Sequence, residues 1–239
     1  MNLPRRDAAG PGLAVVAAPG GAVARASLEA LVEQTAHGLR SRNFEVRRVR
    51  TGAEAAAAAL AAITPPARVI SGGSRTVSEL KLPAMLRGTP GIDYLNDHIR
   101  AIVDPAARHS FRRSAAAADY VVGSANALVA DGRIVNVDGG GSRIASYAFA
   151  ADKVLMIVST NKICTSLDAA VDRVRVVAAR RVAERGPHGD LAPPCFPDGI
   201  CRDAQCRPPA RECGKMLIIE KETIPGRILV ILADEPLGF

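Results

Sequence analysis

Asn126, Asn136, Asp138, Asn161 and Lys162 are polar residues at or just beyond the ends of apolar runs, where α/β sheets put their ligand groups. Between them lie two turns of like composition, Gly72-Gly73-Ser74-Arg75 and Gly140-Gly141-Ser142-Arg143, each joining an expected strand to an expected helix. Turns of this kind present free backbone N–H groups at a positive helix end, so a pair of them makes an anion cradle. The arginines sharpen that reading, because a cation beside a helix N-terminus is disfavoured unless an anion sits nearby. The pattern points to a small anionic ligand held by Gly72, Gly73, Ser74, Asn126, Asn136, Asp138, Gly139, Gly141, Arg143, Asn161 and Lys162. A plainer assignment stays open for each: glycine for a tight turn, serine or asparagine as a helix cap, Asp138 bonded within its own turn, Arg143 in solvent and Lys162 balancing a carboxylate.

Neither glycine turn carries G-x-G-x-x-G or Gly-Lys-Ser/Thr, and no nucleophile elbow or metalloprotease signature occurs. Catalytic residues are therefore unassigned. Thr76-Val-Ser-Glu79 reads as a capping box, which gives Glu79 a structural role. His37, His98, His109 and His188 lack a Cys or Asp at nucleophile–base spacing and are expected in solvent.

A second group with chemistry is Cys195, Cys201, Cys206 and Cys213, in a proline-rich stretch from 187 to 214 without helix or strand periodicity. Long structureless loops need an ordering agent, and four thiolates ligating zinc or an iron–sulfur cluster would supply one. The spacing Cys-x5-Cys-x4-Cys-x6-Cys lacks the Cys-x2-Cys chelate of common sites, so disulfides and idle or reactive thiols stay open. Cys164 is expected as a packed thiol.

The elements that must position these groups alternate along the chain. Ala26 to Arg42 has a helical apolar stripe and Phe44 to Val49 alternates with period two. Further helices are expected over 53–63, 105–118, 142–150 and 167–184, and strands over 67–71, 92–95, 119–124, 133–138 and 153–158. The turn Asp131-Gly132 suggests that the 119–124 and 133–138 strands are hairpin neighbours, and Pro225-Gly226 suggests a C-terminal hairpin of 216–219 with 228–232. Such alternation implies an α/β fold with a layered, largely parallel sheet and helices on both faces. With 239 residues and 48% hydrophobic content, a single domain over 22–239 including the cysteine-rich loop is expected, after a flexible arm of residues 1–21. The net charge of +7 comes from arginines scattered among acids, and aromatic content of 3% argues against a nucleic-acid stacking platform. No run approaches the ~18 apolar residues of a membrane span, and the broken apolar stretch near the N-terminus is too short for a signal peptide. A cytoplasmic protein is expected.

Several of these motifs, taken in order, carry a family resemblance. Gly72-Gly-Ser-x-Thr76-x-x-Glu79, Ala118-Asp-Tyr-Val-Val-Gly-Ser-Ala-Asn-Ala127, Asp131-Gly-x-Ile-Val-Asn-Val-Asp-Gly139, Gly141-Ser-Arg143, Asn161-Lys-Ile163 and the closing Glu220-Lys, Gly226-Arg-Ile and Gly238-Phe239 resemble the lactate-utilisation (LUD) domain family, in its cysteine-tail form. The resemblance implies a fold like that of CoA transferases and ribose-5-phosphate isomerase. It also implies a role in oxidation of L-lactate or a similar organic acid beside iron–sulfur oxidoreductase subunits. The chain departs from the pattern at Ser142, where Asn is more usual, at Arg75, and at the third tail cysteine, displaced by two residues; it has no counterpart of the CoA-transferase glutamate. Two other classes stay open, a stand-alone transferase or isomerase for an acyl or phosphorylated substrate and a metal-stabilised interaction module.

Overall fold

The structure is a computed structural model and describes residues 22–187 and 191–239. The arm expected over residues 1–21 and His188 lie outside the described residues. In chain order the elements are α1 (Ala22–Ser41), β1 (Glu45–Val49), α2 (Gly52–Ala61), β2 (Ala67–Ser71), α3 (Arg75–Glu79), α4 (Leu82–Gly88), β3 (Ile92–Tyr94), α5 (Leu95–Ala101), α6 (Pro105–Ala115), β4 (Tyr120–Gly123), β5 (Ala127–Val129), β6 (Ile134–Asp138), α7 (Ser142–Ala145), β7 (Lys153–Ser159), β8 (Ile163–Cys164), α8 (Leu167–Arg185), β9 (Lys215–Ile219) and β10 (Ile228–Ala233).

Six strands form a parallel sheet in the order β1-β10-β7-β4-β2-β3. The alternation of β7 shows why it lies at the centre. Leu155 and Ile157 face a core built with Ala55, Ala58, Leu82 and Leu86 of α2 and α4, while Val154, Met156 and Val158 face a second core with Val32 and Leu39 of α1. A strand buried on both faces has no room for polar residues, hence its continuous apolar run. The second core is closed by a smaller mixed sheet, β8-β5-β6-β9, whose Leu128, Ile134 and Ile219 enter it. The opposite face of that sheet puts Ala127, Val129, Val135 and Val137 against Ala170 and Val174 of α8. The expected α/β arrangement is present, with the smaller sheet as an added layer.

Three local expectations are corrected. The C-terminal hairpin does not form: β9 pairs antiparallel with β6 in the small sheet, whereas β10 lies between β1 and β7 in the large one. All six residues of β10 are buried, the demand of a central parallel strand, while β9 is exposed at Lys215 and Met216 as an edge strand is. The strands at 120–123 and 134–138 are not hairpin neighbours either, because the short β5 intervenes and pairs with β6. Ser74, rather than Thr76, caps α3, its hydroxyl accepting from Val77 N at 3.4 Å; Thr76 is fully buried and used elsewhere.

A π-helical turn, Ser146–Ala150, follows α7; Ala151 N donates back to Ser146 O at 3.3 Å, and the carbonyls beyond it have no further helix to satisfy them. Arg227, 5% exposed, reaches them from the start of β10: Nη2 donates to Ser146 O at 3.1 Å, Nη1 to Tyr147 O at 3.0 Å and Nε to Ala151 O at 3.2 Å. Nη1 also donates to Glu222 Oε2 at 2.8 Å. Burial raises the Glu222 carboxyl, but the Ile224 N–H, Arg227 and the Thr223 N–H outweigh it and hold its pKa below the usual range. Replacing Arg227 by Ala leaves the buried Glu222 carboxylate without its cation and takes a donor from each of three carbonyls, so a loss of about 3–5 kcal/mol in urea unfolding is expected. A loss under about 1 kcal/mol, the scale of an exposed pair, would show that the network contributes little.

Candidate functional site

The C-terminal ends of β2, β4 and β7 meet the turn after β6 at a crevice of about 840 Å³. The first turn leaves β2 through Gly72 and Gly73 to the Ser74 cap, and the second leaves β6 through Asp138 to Gly141, which has φ of 96°. Only glycine takes that conformation without strain. The two turns touch through Arg143. Its side chain lies over Gly72 so closely that a Cβ there would stand 2.7 Å from Arg143 Cδ.

Arg143 is held rather than free in solvent. Nη2 donates to Val137 O at 2.6 Å and to Asn126 Oδ1 at 3.2 Å, and Nε is 3.7 Å from Asp138 Oδ2. Asn126 Oδ1 also accepts from Val137 N at 3.0 Å, and Asp138 Oδ1 accepts from Gly141 N at 2.7 Å. Asp138 therefore closes its own turn and steadies Arg143, and Asn126 links the two sheets' ends to the guanidinium. Arg143 Nη1 has no acceptor among the described residues. Four residues on, Tyr147 is fully buried and its hydroxyl accepts from Ser124 N at 3.2 Å. Gly123 makes room for it: a Cβ would stand 1.7 Å from that oxygen. Burial raises the Tyr147 hydroxyl's pKa, so it stays a neutral hydrogen-bonding anchor.

The crevice is strongly cationic. Seven arginines and Lys162 line it against Asp138 and Glu212. Pairing cancels part of this charge: Arg75 is bound by Glu79 and Glu184, Arg185 by Glu212, Arg211 by Asp203 and Arg100 by Asp97. Arg75 is thereby withdrawn from the anion argument that its position in the sequence suggested. Arg112 meets only Ser142 Oγ, at 3.1 Å, and Arg181 of α8 has neither hydrogen bond nor ion pair among the described residues. Burial, followed by Arg185, lowers the Arg181 pKa.

Of the residues singled out in the sequence, Gly72, Gly73, Ser74, Asn126, Asp138, Gly139, Arg143 and Lys162 line this crevice. Gly141 shapes its turn without lining it. Asn136 and Asn161 are placed elsewhere: Asn136 is 0% exposed with both amide atoms unpartnered, and Asn161 Oδ1 is buried without a partner. On β6 Asn136 shares a face with Ile134, which enters the second core, and it lies two residues before Asp138, the strand-end residue that lines the crevice. The sequence reading missed Arg112, Arg181, Arg185 and Asn96. Arg181 and Arg185 are four apart on α8, a spacing that puts both on one face and could have been noticed. Asn96 extends β2, accepting from Ser71 N at 2.8 Å and donating to Ser71 O at 3.0 Å.

Lys162 lies at the crevice floor, 4% exposed. Burial, then Arg173 and Arg143, push its pKa down to about 7 against the pull of Glu79.

The four tail cysteines line a separate small cavity of about 20 Å³ against Ala178, Ala179 and Val182 of α8. All are free thiols. Burial pushes Cys195, Cys201 and Cys206 up, and neighbouring sulfurs add to each shift. Among the described residues no three His, Cys, Asp or Glu side chains are grouped closely enough to hold a metal ion. The donor set suits a soft metal, and the thiols share a cavity but not a coordination sphere. Cys164, expected as packed, contacts the α8 side of the small sheet.

The unfolded chain's Lys162 keeps its proton up to about 10.5 whereas the folded chain's loses it near 7. Stability must then rise with pH between those values, since the unfolded state binds the extra proton. Denaturant unfolding across this window should show a steeper rise for the wild type than for Lys162→Met; equal slopes would mean that the amine is solvated.

The LUD domain family model matches residues 32–233. No curated protein matches. Among solved structures, that of a DUF162 family protein from Deinococcus radiodurans is similar at 14% identity, with a TM-score of 0.48 over 86% of this chain and 98% of the other. The family match spans most of the sequence and both glycine turns, and the chain belongs to the LUD domain family.

Proposed function

We propose that the crevice binds a small anionic ligand and that the protein serves L-lactate or similar organic-acid utilisation in the cytoplasm, beside iron–sulfur oxidoreductase subunits. The observation that carries the ligand reading is Arg143, fixed by Asn126, Val137 and Asp138 across two glycine turns with Nη1 unspent. A guanidinium preorganised in this way binds a carboxylate or phosphate without losing further side-chain freedom. Arg112 and Arg181 supply further positive charge in the same crevice. The role in organic-acid utilisation is supported by family membership. Among the described residues no helix is long and apolar enough to cross a membrane.

The crevice volume favours a second reading. About 840 Å³ lies in the upper part of the ~300–1,000 Å³ range of small-molecule sites, far more than lactate fills. An acyl or phosphorylated substrate of a stand-alone transferase or isomerase would use more of it. Calorimetry with lactate, pyruvate and a sugar phosphate separates the two. In either case Arg143→Ala should weaken binding by about 1.5–3 kcal/mol, the scale of a hydrogen bond to a charged group. Equal affinity in variant and wild type would remove Arg143 from the site.

We further propose that Cys195, Cys201, Cys206 and Cys213 take up zinc or an iron–sulfur cluster, supported by their convergence on one cavity. Such a group would order the loop as a metal-stabilised module. Protein purified anaerobically should carry stoichiometric zinc or iron, and a chelator should make the loop protease-sensitive while the sheet core survives. Metal-free protein with an equally resistant loop would show that the thiols pack without ligation.

A further inference from the structure

Lysines that are almost wholly buried are ordinarily paired with a carboxylate. Among the described residues Lys162 has none within ion-pair distance. Glu79, the acid that acts on it, is occupied: Oε1 accepts from Arg75 Nε at 2.8 Å and Oε2 from Gly238 N at 2.7 Å. The remaining charges that act on the amine are cationic, Arg173 of α8 and Arg143 of α7. Nζ instead donates to Thr76 Oγ1 at 2.7 Å and to Ser124 Oγ at 3.0 Å. Each hydroxyl directs its own hydrogen to a carbonyl, Thr76 to Leu237 O at 3.5 Å and Ser124 to Ala125 O at 3.2 Å, so each accepts from the amine. Two acceptors match the two N–H bonds of a neutral amine and leave its lone pair unspent. On another side the amine is walled by backbone: a methyl at Gly238 would stand 2.6 Å from Thr76 Oγ1 and 3.3 Å from Nζ.

We propose that Lys162 is the carbonyl-reactive amine of this crevice, forming an imine with an aldehyde or a 2-oxo acid. The oxo-acid half rests on the anion reading above, with Arg143 taking the carboxylate; the aldehyde half does not. The Nζ lone pair adds to the carbonyl carbon while the C=O π pair moves to oxygen. Both amine hydrogens then leave with that oxygen as water, and a C=N bond remains; no oxidant or reductant enters. Thr76 and Ser124 hold Nζ and stand where they can pass those hydrogens on. Burial and the cations nearby leave a substantial share of the amine unprotonated at neutral pH, the usual means of activating a lysine nucleophile.

The full chain is incubated with cyanoborohydride and either propionaldehyde or pyruvate, and adducts are mapped by peptide mass spectrometry. The four other lysines, Lys81, Lys153, Lys215 and Lys221, are all exposed and serve as internal controls. At about pH 7.5 propionaldehyde should label Lys162 roughly tenfold or more above each of them, since an ordinary lysine is then almost wholly protonated. Labelling of Lys162 should rise through pH 7, and Lys162→Arg should abolish it while leaving the surface adducts. Thr76→Val keeps the amine and should shift the pH midpoint, a check that does not depend on Lys162→Arg folding. Propionaldehyde labelling of Lys162 no greater than that of the surface lysines overturns the proposal. Pyruvate that binds by calorimetry without trapping, with Lys162 inert to propionaldehyde, overturns it while the anion reading stands. Trapping by propionaldehyde but not by pyruvate upholds the reactive amine and counts against the anion reading.

Discussion

The buried guanidinium of Arg227 fixes the segment on which the crevice depends. By accepting it, the carbonyls of Tyr147 and Ala151 escape the desolvation cost of an unsatisfied helix end, and Ser146 O gains a second donor beside Ala151 N. The segment can then end abruptly and hand the chain to β7. Tyr147 is thereby brought against Gly123 at the end of β4, and Arg143, one helical turn earlier, falls across Gly72 at the end of β2. One interaction at the edge of the large sheet sets the distance between two turns that belong to different sheets. The glycines at 72 and 123 are the complement of that placement, since any side chain would occupy the space the segment fills.

Charge in the crevice is divided by the same geometry. Several arginines along its rim find carboxylates, as Arg75 finds Glu79 on its own helix and Glu184 on α8. Groups deeper in the site are hydrogen-bonded by neutral oxygens, Val137 O and Asn126 for Arg143, Thr76 and Ser124 for Lys162, with Asp138 at 3.7 Å from Arg143 as the one carboxylate close by among the described residues. Neutral acceptors position a cation without neutralising it, so the field survives where a ligand would sit.

The sequence disclosed what depends on local pattern. Lys153 to Val158 reads as a fully buried strand because every residue is apolar, and the glycine turns read as strand-to-helix turns because their neighbours change period there. Pairing was hidden. Nothing local distinguishes Ile228 to Leu232 as the partner of β1 and β7 from a hairpin arm of β9, since parallel neighbours are joined by long crossovers. The three residues of β5 are too few to show a period, and without β5 the strands on either side of it seemed adjacent. In the site, turn residues were legible, whereas Arg112 and Arg181 come from helices far along the chain whose faces only tertiary packing selects. Asn136 stands inside β6, and only the last residues of that strand, Val137 and Asp138, reach the crevice.

The cysteine loop is also a wall. Pro209, Arg211 and Glu212 line the large crevice, Glu212 lines the small sulfur cavity as well, and its carbonyl would stand 2.6 Å from any Cβ at Gly139. Ala178 and Val182 of α8 are common to both cavities. The two cavities therefore share one partition, made of a loop and a helix face. Occupancy of either that depends on the partition's position carries a coupling free energy to the other, and thermodynamic linkage makes that coupling equal in both directions. A thiol state that shifted this partition would shift the affinity of the crevice, and a ligand that shifted it would alter the exposure of the thiols.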